Sequence, residues 1–178
     1  MGAGKTSVGR ALGQRLNWVF EDLDDRIVRS EGRSIAEIFR EFGEVAFREA
    51  EHSALRAVVE GLRTGAPRVI ALGGGAFAQK RNLELLRSAG VPTVLLEAPV
   101  EELWQRCCRQ ASENSTERPL QKSSDQFRAL YAARRKSYIK ARLKIETAGR
   151  SVDAIAAEIA ERLGLARIAV RVETGESE

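Results

Sequence analysis

The stretch Gly2-Ala3-Gly4-Lys5-Thr6 matches the second half of the phosphate-loop pattern G-x-x-x-x-G-K-[ST]. Glycines at these positions let backbone N–H groups face a phosphate, and the helix that follows adds the positive end of its dipole. In this pattern Lys5 reaches the β- and γ-phosphates of a nucleotide, and the Thr6 hydroxyl ligates magnesium. The tripeptide Gly-Lys-Thr is also an ordinary helix start, so the surrounding sequence has to decide between the two interpretations.

Outside this stretch, short runs rich in apolar and β-branched residues alternate with helical patterns. Four strands are predicted at 18–20, 69–72, 93–97 and 143–147, and helices at 4–16, 35–42, 45–62, 83–88, 100–109, 126–140 and 152–163. Strands that alternate with helices form a parallel sheet covered on both faces, so we predict an α/β fold, a three-layer sandwich. The polar segment 110–124 lacks apolar periodicity and predicts a mobile loop of the kind that forms lids.

Composition restricts the function further. The chain of 178 residues, 43% hydrophobic and 30% charged, is typical of one globular domain. No apolar run approaches the ~20 residues of a membrane helix and no secretory signal is visible, so we expect a cytoplasmic protein without a membrane partner. Two cysteines and one histidine are too few for a structural zinc site, so a bound metal would have oxygen ligands. The 29 basic and 25 acidic residues leave a net charge of +4 and alternate, which argues against nucleic-acid binding.

Two carboxylates lie two residues apart, Asp22 and Asp24, at the end of the first predicted strand. With the alternation of a strand they would point the same way and could hold a metal and a hydroxyl group. The alternative is a helix N-terminus enriched in acidic residues. Farther along, Arg48 and Glu51 are three residues apart on one helical face, so the acid can orient the guanidinium group, unless the two form only a surface ion pair.

Three successive glycines, Gly73, Gly74 and Gly75, directly follow the second predicted strand. Glycines exclude side chains where a ligand must meet backbone N–H groups, and open α/β sheets bind ligands at the carboxyl ends of their strands. A flexible turn is the alternative. Arg118 lies in the predicted lid and Arg134 lies one helical turn before Tyr138; either arginine could also be a plain surface charge.

Taken in order, these motifs resemble those of shikimate kinase. The resemblance runs from the phosphate loop through Asp22-x-Asp24, Gly43-Glu44-x-x-Phe47-Arg48-x-x-Glu51, Gly73-Gly74-Gly75-Ala76, Arg118-Pro119-Leu120 and Arg134-x-x-x-Tyr138, and covers about residues 1–164. It implies a P-loop NTPase fold of the nucleoside-monophosphate-kinase type with strand order 2-3-1-4-5. It also implies ATP-dependent phosphorylation of the 3-hydroxyl of shikimate in aromatic amino-acid (chorismate) biosynthesis.

The resemblance also implies roles for individual residues. The catalytic residues would be Lys5, Asp24 and Arg118. Shikimate would be held by Asp24, Arg48, Gly73, Gly74, Gly75 and Arg134. ATP would be held by Gly2, Ala3, Gly4, Lys5, Thr6, Ser7, Arg106, near the adenine, and Arg118. Mg²⁺, bound with ATP, would be held by Thr6 and by Asp22, the latter through water.

The sequence departs from the family at both ends. The first glycine of the phosphate loop and the strand that feeds it are absent, so we expect that the first strand is missing and that the sequence is truncated. After the kinase-like domain at 1–164, residues 165–178 alternate like a strand. This extension or linker is similar to the opening of 3-dehydroquinate synthase, an enzyme sometimes fused behind this kinase.

Two alternatives remain open at this point. One is another P-loop small-molecule kinase, such as gluconate kinase, which shares the phosphate machinery. The other is a nucleotide-binding module without turnover, because the phosphate loop is incomplete. We expect a monomer whose partners are small molecules.

Overall fold

The computed structural model describes residues 2–62, 65–114 and 123–165. In chain order its elements are α1 Lys5–Leu16, β1 Val19–Asp22, α2 Leu23–Glu31, α3 Ile35–Gly61, β2 Arg68–Ala71, a 3₁₀ turn Ala76–Ala78, α4 Lys80–Ser88, β3 Val94–Glu97, α5 Val100–Asn114, α6 Ser124–Tyr138, β4 Leu143–Glu146 and α7 Val152–Arg162. All four strands expected from the sequence are present, with ends shifted by up to two residues. Helix α5 continues to Asn114, so the loop expected from residue 110 begins later. Residues 115–122, which hold most of the expected lid, lie outside the described residues.

The strands pair in parallel, as the alternation of strands and helices predicts. β1 pairs with β2, with Val19 opposite Arg68, and β3 pairs with β4, with Val94 opposite Leu143. Within the described part of the chain the result is two separate two-stranded sheets, so β2 and β3 each keep one edge without a strand partner. The α/β class with parallel strands is confirmed; these four strands alone do not form a single sheet.

The phosphate-loop sequence ends where α1 begins. Gly4 is the N-cap of α1 and has φ 77° and ψ 22°, a left-handed conformation that favours glycine. The helix starts at Lys5 and buries Val8, Leu12 and Leu16, which recur at four-residue spacing along one face. The predicted helix at 4–16 is confirmed, and its first turn holds Lys5 and Thr6 directly after the loop.

Apolar periodicity does not predict helix α2, but the alternative interpretation of Asp22 and Asp24, a helix N-terminus enriched in acidic residues, is correct for its start. Its two buried residues, Leu23 and Ile27, are a weak periodic signal in nine largely charged positions. The Asp22 side chain caps it by accepting a hydrogen bond from the Asp24 N–H at 3.1 Å. The prediction that Asp22 and Asp24 share one face of a strand is therefore wrong, because the strand ends at Asp22 and Asp24 lies in the first helical turn.

Helix α3 is divided at Gly43, whose φ of 77° and ψ of 178° lie outside the helical region. The sequence predicts this break, since the two helical patterns end at residue 42 and resume at residue 45. The helix begins with a capping box, in which Ser34 and Glu37 each accept a hydrogen bond from the other's backbone N–H. The second half of α3 carries Arg48 and Glu51 toward the carboxyl end of β2.

Buried side chains form two cores. One lies between α1, α5, α7 and the β3–β4 sheet and includes Phe127 and Ile145; the other lies under α2, α3 and α4 and includes Leu23 and Leu55. Between them is an apolar cavity of about 570 Å³, which we call the intersheet slot. It is lined by residues that include Val8, Leu12, Leu55, Val69, Ala71, Leu95, Leu96 and Ile159. None of the helices in the described ranges is long and apolar enough to cross a membrane.

Candidate active site

The three glycines after β2 allow side chains from two helices to approach the backbone. A Cβ atom at Gly73 would lie 2.6 Å from Asp24 Oδ1 and 3.2 Å from Glu51 Oε1. A Cβ atom at Gly75 would overlap Arg48 Nη1 and lie 2.9 Å from Arg48 Cζ. These separations are below van der Waals contact, so only glycine lets Asp24, Glu51 and Arg48 lie directly against this loop.

The guanidinium group of Arg48 is held by two carboxylates of its own helix. It donates from Nη2 to Glu44 Oε1 and from Nη1 to Glu51 Oε2, each at 2.9 Å, and it lies over the Phe47 ring at 5.0 Å. Burial lowers the pKa of Arg48, but the hydrogen bonds to Glu44 and Glu51 outweigh burial and raise it. The side chain is 18% exposed, so it is a cation held in position by its two carboxylate partners and still partly accessible to solvent.

Glu51 is the buried centre of this arrangement, with 1% of its side chain exposed. Its Oε2 atom accepts hydrogen bonds from Arg48 and, at 2.5 Å, from the Gln79 amide. Burial raises the pKa of the Glu51 carboxyl; the charge of Asp24 raises it further, while Arg48 and Arg134 lower it. Four side chains of different elements therefore surround one carboxylate, and the expected substrate residues Asp24, Arg48 and Arg134 lie near one another.

The glycine loop is tied to helix α6 by Tyr138. The buried Tyr138 hydroxyl donates a hydrogen bond to the Gly74 carbonyl, which is 64 residues away in sequence. Burial raises the pKa of this hydroxyl. The positive charge of Arg134 and its hydrogen bond with the hydroxyl lower the pKa, but by less than burial raises it. The Tyr138 hydroxyl thus contacts both the loop backbone and an arginine that was expected to bind substrate.

A second anchor holds the far end of the loop. Asn82 is fully buried and donates from Nδ2 to the Ala76 carbonyl at 3.0 Å. Its Oδ1 atom lies 2.7 Å from His52 Nδ1, so this ring nitrogen carries the proton. The only histidine of the chain therefore supports the loop from α3 through Asn82.

At the phosphate loop, Thr6 and Asp22 meet. The Thr6 hydroxyl donates to Asp22 Oδ2 at 3.1 Å, which joins the first turn of α1 to the end of β1. Among the described residues, no three or more His, Cys, Asp or Glu side chains are close enough to hold a metal. Two neighbouring hard oxygens fit Mg²⁺, which takes few protein ligands and completes its shell with water and phosphate oxygens.

Arg106 lies in a different depression. It donates from Nη2 to Glu102 at 2.5 Å and from Nη1 to the buried Thr147 hydroxyl at 3.2 Å, which fixes its guanidinium group. With Pro99, Arg109, Arg150 and neighbours it lines a cavity of about 660 Å³. Arg118 lies outside the described residues, so its position is not part of this geometry.

Sequence reasoning did not single out Gln79 or Asn82. Both are neutral polar residues near the start of α4, and nothing in their spacing distinguishes them from an ordinary helix entrance. Tyr138 is part of the motif Arg134-x-x-x-Tyr138, but the sequence indicates no role for its side chain. Asn82 and Tyr138 are marked by burial and Gln79 by its hydrogen bond to the buried Glu51, and these features are visible only in the folded structure.

Known proteins are similar to this chain over most of its length. The family model described as shikimate kinase matches residues 1–164. A shikimate kinase of Geobacter sulfurreducens is 44% identical over 163 residues, which cover 90% of this chain and 84% of that protein. A shikimate kinase of Symbiobacterium thermophilum is 40% identical over 167 residues, which cover 92% of this chain and 91% of that protein.

Solved structures are similar to this chain as well. A structure described as shikimate kinase from Acinetobacter baumannii in complex with shikimate has a TM-score of 0.78 and 34% identity, and the match covers 92% of this chain and 88% of that chain. The shikimate kinase from Aquifex aeolicus has a TM-score of 0.77 and 33% identity, with 95% of both chains covered.

Proposed function

The chain belongs to the shikimate kinase family, and we propose that it transfers the γ-phosphoryl group of ATP to the 3-hydroxyl of shikimate beside the side chains gathered about Glu51. Enzymes of this family are transferases of aromatic amino-acid biosynthesis. The observation that carries the site assignment is the meeting of Asp24, Arg48 and Arg134 about one buried carboxylate. Shikimate has a carboxylate and three hydroxyl groups, which this combination of cations and an acid complements.

In the proposed arrangement, the substrate carboxylate lies between the guanidinium groups of Arg48 and Arg134. Gly75, whose backbone is in contact distance of Arg48, adds a backbone N–H donor to the same anion. Asp24 lies against Gly73 and accepts a hydrogen bond from the reacting hydroxyl. Charge-assisted hydrogen bonds of this kind fix both position and orientation.

The chemical step is an in-line displacement. The 3-hydroxyl oxygen of shikimate bonds to the γ-phosphorus, the bond from that phosphorus to the bridging oxygen breaks, and the bridging oxygen leaves on ADP. The hydroxyl proton passes to Asp24. Lys5 and the N–H groups of Gly2–Thr6 neutralise phosphate charge, with Ser7 in the first turn of α1; from the sequence, Arg118 would add a further positive charge.

Mg²⁺ is expected with ATP, because the Thr6 hydroxyl and the Asp22 carboxylate form the hard-oxygen pair described above. When bound, the ion would offset negative charge on the phosphate oxygens. Asp22 also holds Thr6 in place and caps α2, so the pair is positioned by the fold itself.

The cavity beside Arg106 is proposed to hold the adenine. A guanidinium plane is suited to stacking against a flat ring, and the contacts of Arg106 with Glu102 and Thr147 limit its rotation. Arg150, which lines the same cavity, is a further candidate contact that the sequence motifs did not include.

We propose the family strand order 2-3-1-4-5 for the complete sheet. β1 and β2 then correspond to strands 2 and 3, β3 and β4 to strands 4 and 5, and the intersheet slot accommodates strand 1. The support is that this apolar slot borders both sheets and also Ala3 of the phosphate loop. A monomeric state, a cytoplasmic location and a continuation into 3-dehydroquinate synthase remain predictions; 166–178 lie outside the described residues.

Turnover measurements test the function directly. We expect ADP release from ATP in the presence of shikimate, and release near background with gluconate or with no acceptor. Faster turnover with gluconate would favour the gluconate kinase alternative, and ATP binding without turnover on either acid would favour the non-catalytic module.

The variant Asp24→Asn tests the proposed base. It keeps the size of the side chain but removes the proton acceptor, so we expect kcat to fall by about 10²- to 10⁴-fold, the typical contribution of general base catalysis. Calorimetric binding of ATP should be unchanged, since Asp24 lies on the substrate side. Wild-type turnover in this variant would contradict the role of Asp24.

A further inference from the structure

The Tyr138 hydroxyl interacts with two parts of the proposed carboxylate site at once. It donates to the Gly74 carbonyl, and it interacts with the guanidinium group of Arg134, one turn earlier on α6. The residue is 8% exposed, so water does not readily replace either contact. No role follows for it from the sequence motifs or from the similarity to other kinases.

The bond to Gly74 has a geometric consequence for the next residue. The peptide unit between Gly74 and Gly75 is trans and planar, so its carbonyl and its N–H point in opposite directions. Fixing the carbonyl toward Tyr138 on α6 therefore turns the Gly75 N–H away from α6. Gly75 itself lies against the Arg48 guanidinium on α3, so its N–H is close to the cation that would bind the carboxylate.

Glycine peptides rotate easily, so an orientation of this kind needs an external constraint. Burial raises the pKa of Tyr138 and keeps its hydroxyl neutral, which preserves the proton that it donates to Gly74. The same oxygen accepts from Arg134, because a guanidinium group has only donors. One hydroxyl thus sets the direction of two donors, the Gly75 N–H and the Arg134 guanidinium.

We propose that Tyr138 is a positioning residue for substrate specificity, which orients the Gly75 N–H and Arg134 toward the carboxylate of the acceptor. This inference rests on the proposed function. It assigns recognition of the substrate carboxylate to a hydroxyl that acts through the groups it orients. The hydroxyl itself does not touch the substrate.

The variant Tyr138→Phe removes only the hydroxyl. We expect the KM for shikimate to rise by about 10- to 150-fold, the range for loss of one hydrogen bond that involves a charged group. The KM for ATP should stay within about twofold of wild type, because the nucleotide contacts are elsewhere. Tyr131→Phe is the matched control: Tyr131 lies on the same helix, 6.4 Å from the Tyr138 ring, and lacks the bond to Gly74.

A substrate analogue separates positioning from general damage to the fold. Calorimetry with a shikimate analogue that has a primary alcohol in place of the carboxylate should give the same affinity for wild type and Tyr138→Phe, while shikimate itself should bind the variant more weakly. Equal losses with both compounds, or equal KM values for the Tyr138→Phe and Tyr131→Phe variants, would overturn the proposal. Thermal unfolding of both variants establishes that they fold. Absence of turnover in the wild type would instead refute the proposed function, so that outcome is distinct from a failure of the positioning role of Tyr138.

Discussion

At the scale of single residues, the buried Glu51 carboxylate is the least ordinary group of the site. A carboxylate with 1% exposure is costly unless hydrogen bonds and opposite charges compensate its lost hydration. Arg48 and Gln79 supply those hydrogen bonds, and the charge of Arg134 adds to them. Burial of the Glu51 carboxylate thus costs stability, but it holds the Arg48 guanidinium group in position before the substrate binds.

This balance predicts a pH-dependent effect of Glu51→Gln. Burial raises the pKa of Glu51 above its ordinary value of 4.5, so between 4.5 and the raised value the folded state holds more protons than the unfolded state. Stability contributed by the wild-type residue is therefore lost as pH rises through this window. We expect the melting temperature of the wild type, relative to Glu51→Gln, to decrease from pH 4.5 toward neutrality in calorimetric scans.

Glu158→Gln provides the matched control. Hydrogen bonds from Arg150 and Arg162 lower the pKa of this exposed carboxyl, so its stabilising contribution is present above pH 4.5 and is lost as pH falls below it. The melting temperature of the wild type relative to the variant should therefore decrease with rising pH for Glu51→Gln and increase with rising pH for Glu158→Gln. A pH-independent difference for Glu51→Gln would show that the buried carboxyl does not titrate in this window.

Several residues of the site were predictable, and others were not. The three-residue spacing of Arg48 and Glu51 on a helix is enough, by itself, to indicate their ion pair. The partners Gln79 and Tyr138 were unpredictable because their roles depend on contacts 28 and 64 residues away in sequence, which no local pattern encodes.

At the scale of elements, the glycine loop is a close contact between β2 and the second half of α3. Gly75 has φ −97° and ψ −23°, a conformation that any residue adopts, so a glycine is not needed there for its backbone freedom. It is needed for space, because a Cβ atom would overlap the tip of Arg48.

Gly75→Ala should therefore impair both substrate binding and stability. The tip of Arg48 has to move aside, which weakens its ion pair with the buried Glu51 and removes the guanidinium group from its place beside the loop. We expect the KM for shikimate to rise by about 10- to 100-fold, the effect of losing one charged hydrogen bond. Initial rates at varied shikimate, together with a thermal melt, measure both quantities.

Gly61→Ala is a suitable control for this substitution. A Cβ atom at Gly61 meets no other atom within 4 Å, and alanine has the higher helix propensity, so activity should be unchanged and stability equal or slightly higher. If Gly75→Ala bound shikimate as tightly as Gly61→Ala, Arg48 would not be held in place by contact with the loop.

Element boundaries followed from the sequence wherever a physical signal was strong. Ser34 with Glu37 marks the start of α3, and Gly43 marks its interruption. Helix α2 has the acidic residues that are typical of a helix start but little apolar periodicity, because it buries only two side chains; packing against α3 therefore contributes to its stability.

At the scale of the whole molecule, the two cores are separated by the intersheet slot. In the described ranges β2 and β3 each pair on one side only, so both present free backbone N–H and C=O groups toward an apolar cavity of about 570 Å³. Unpaired backbone groups in apolar surroundings are unfavourable, which identifies the slot as the weakest part of the fold. The phosphate loop borders the slot at Ala3, so the order of this loop depends on what fills the slot.

The free edges of β2 and β3 predict the effect of extending the chain before Met1. An extension of five β-branched residues, one glycine and one further residue would supply a parallel strand to both free edges and complete the phosphate-loop pattern. We expect the free energy of unfolding to increase by about 2 to 4 kcal/mol, after the entropic cost of ordering the strand is subtracted. For a chain of this size that corresponds to a rise of roughly 4 to 16 °C in Tm. ATP affinity should rise as well, because more loop N–H groups would face the phosphates.

An extension of equal length made of serine, asparagine and lysine is the control for this variant. It cannot bury apolar side chains in the slot, so Tm and ATP affinity should stay at the values of the unextended chain. An environment-sensitive apolar dye should bind the unextended and polar-extended chains and be displaced only in the β-branched variant. If both extensions gave the same Tm and the same dye binding, the slot would not accept a strand, and the two sheets would have to be joined in another way.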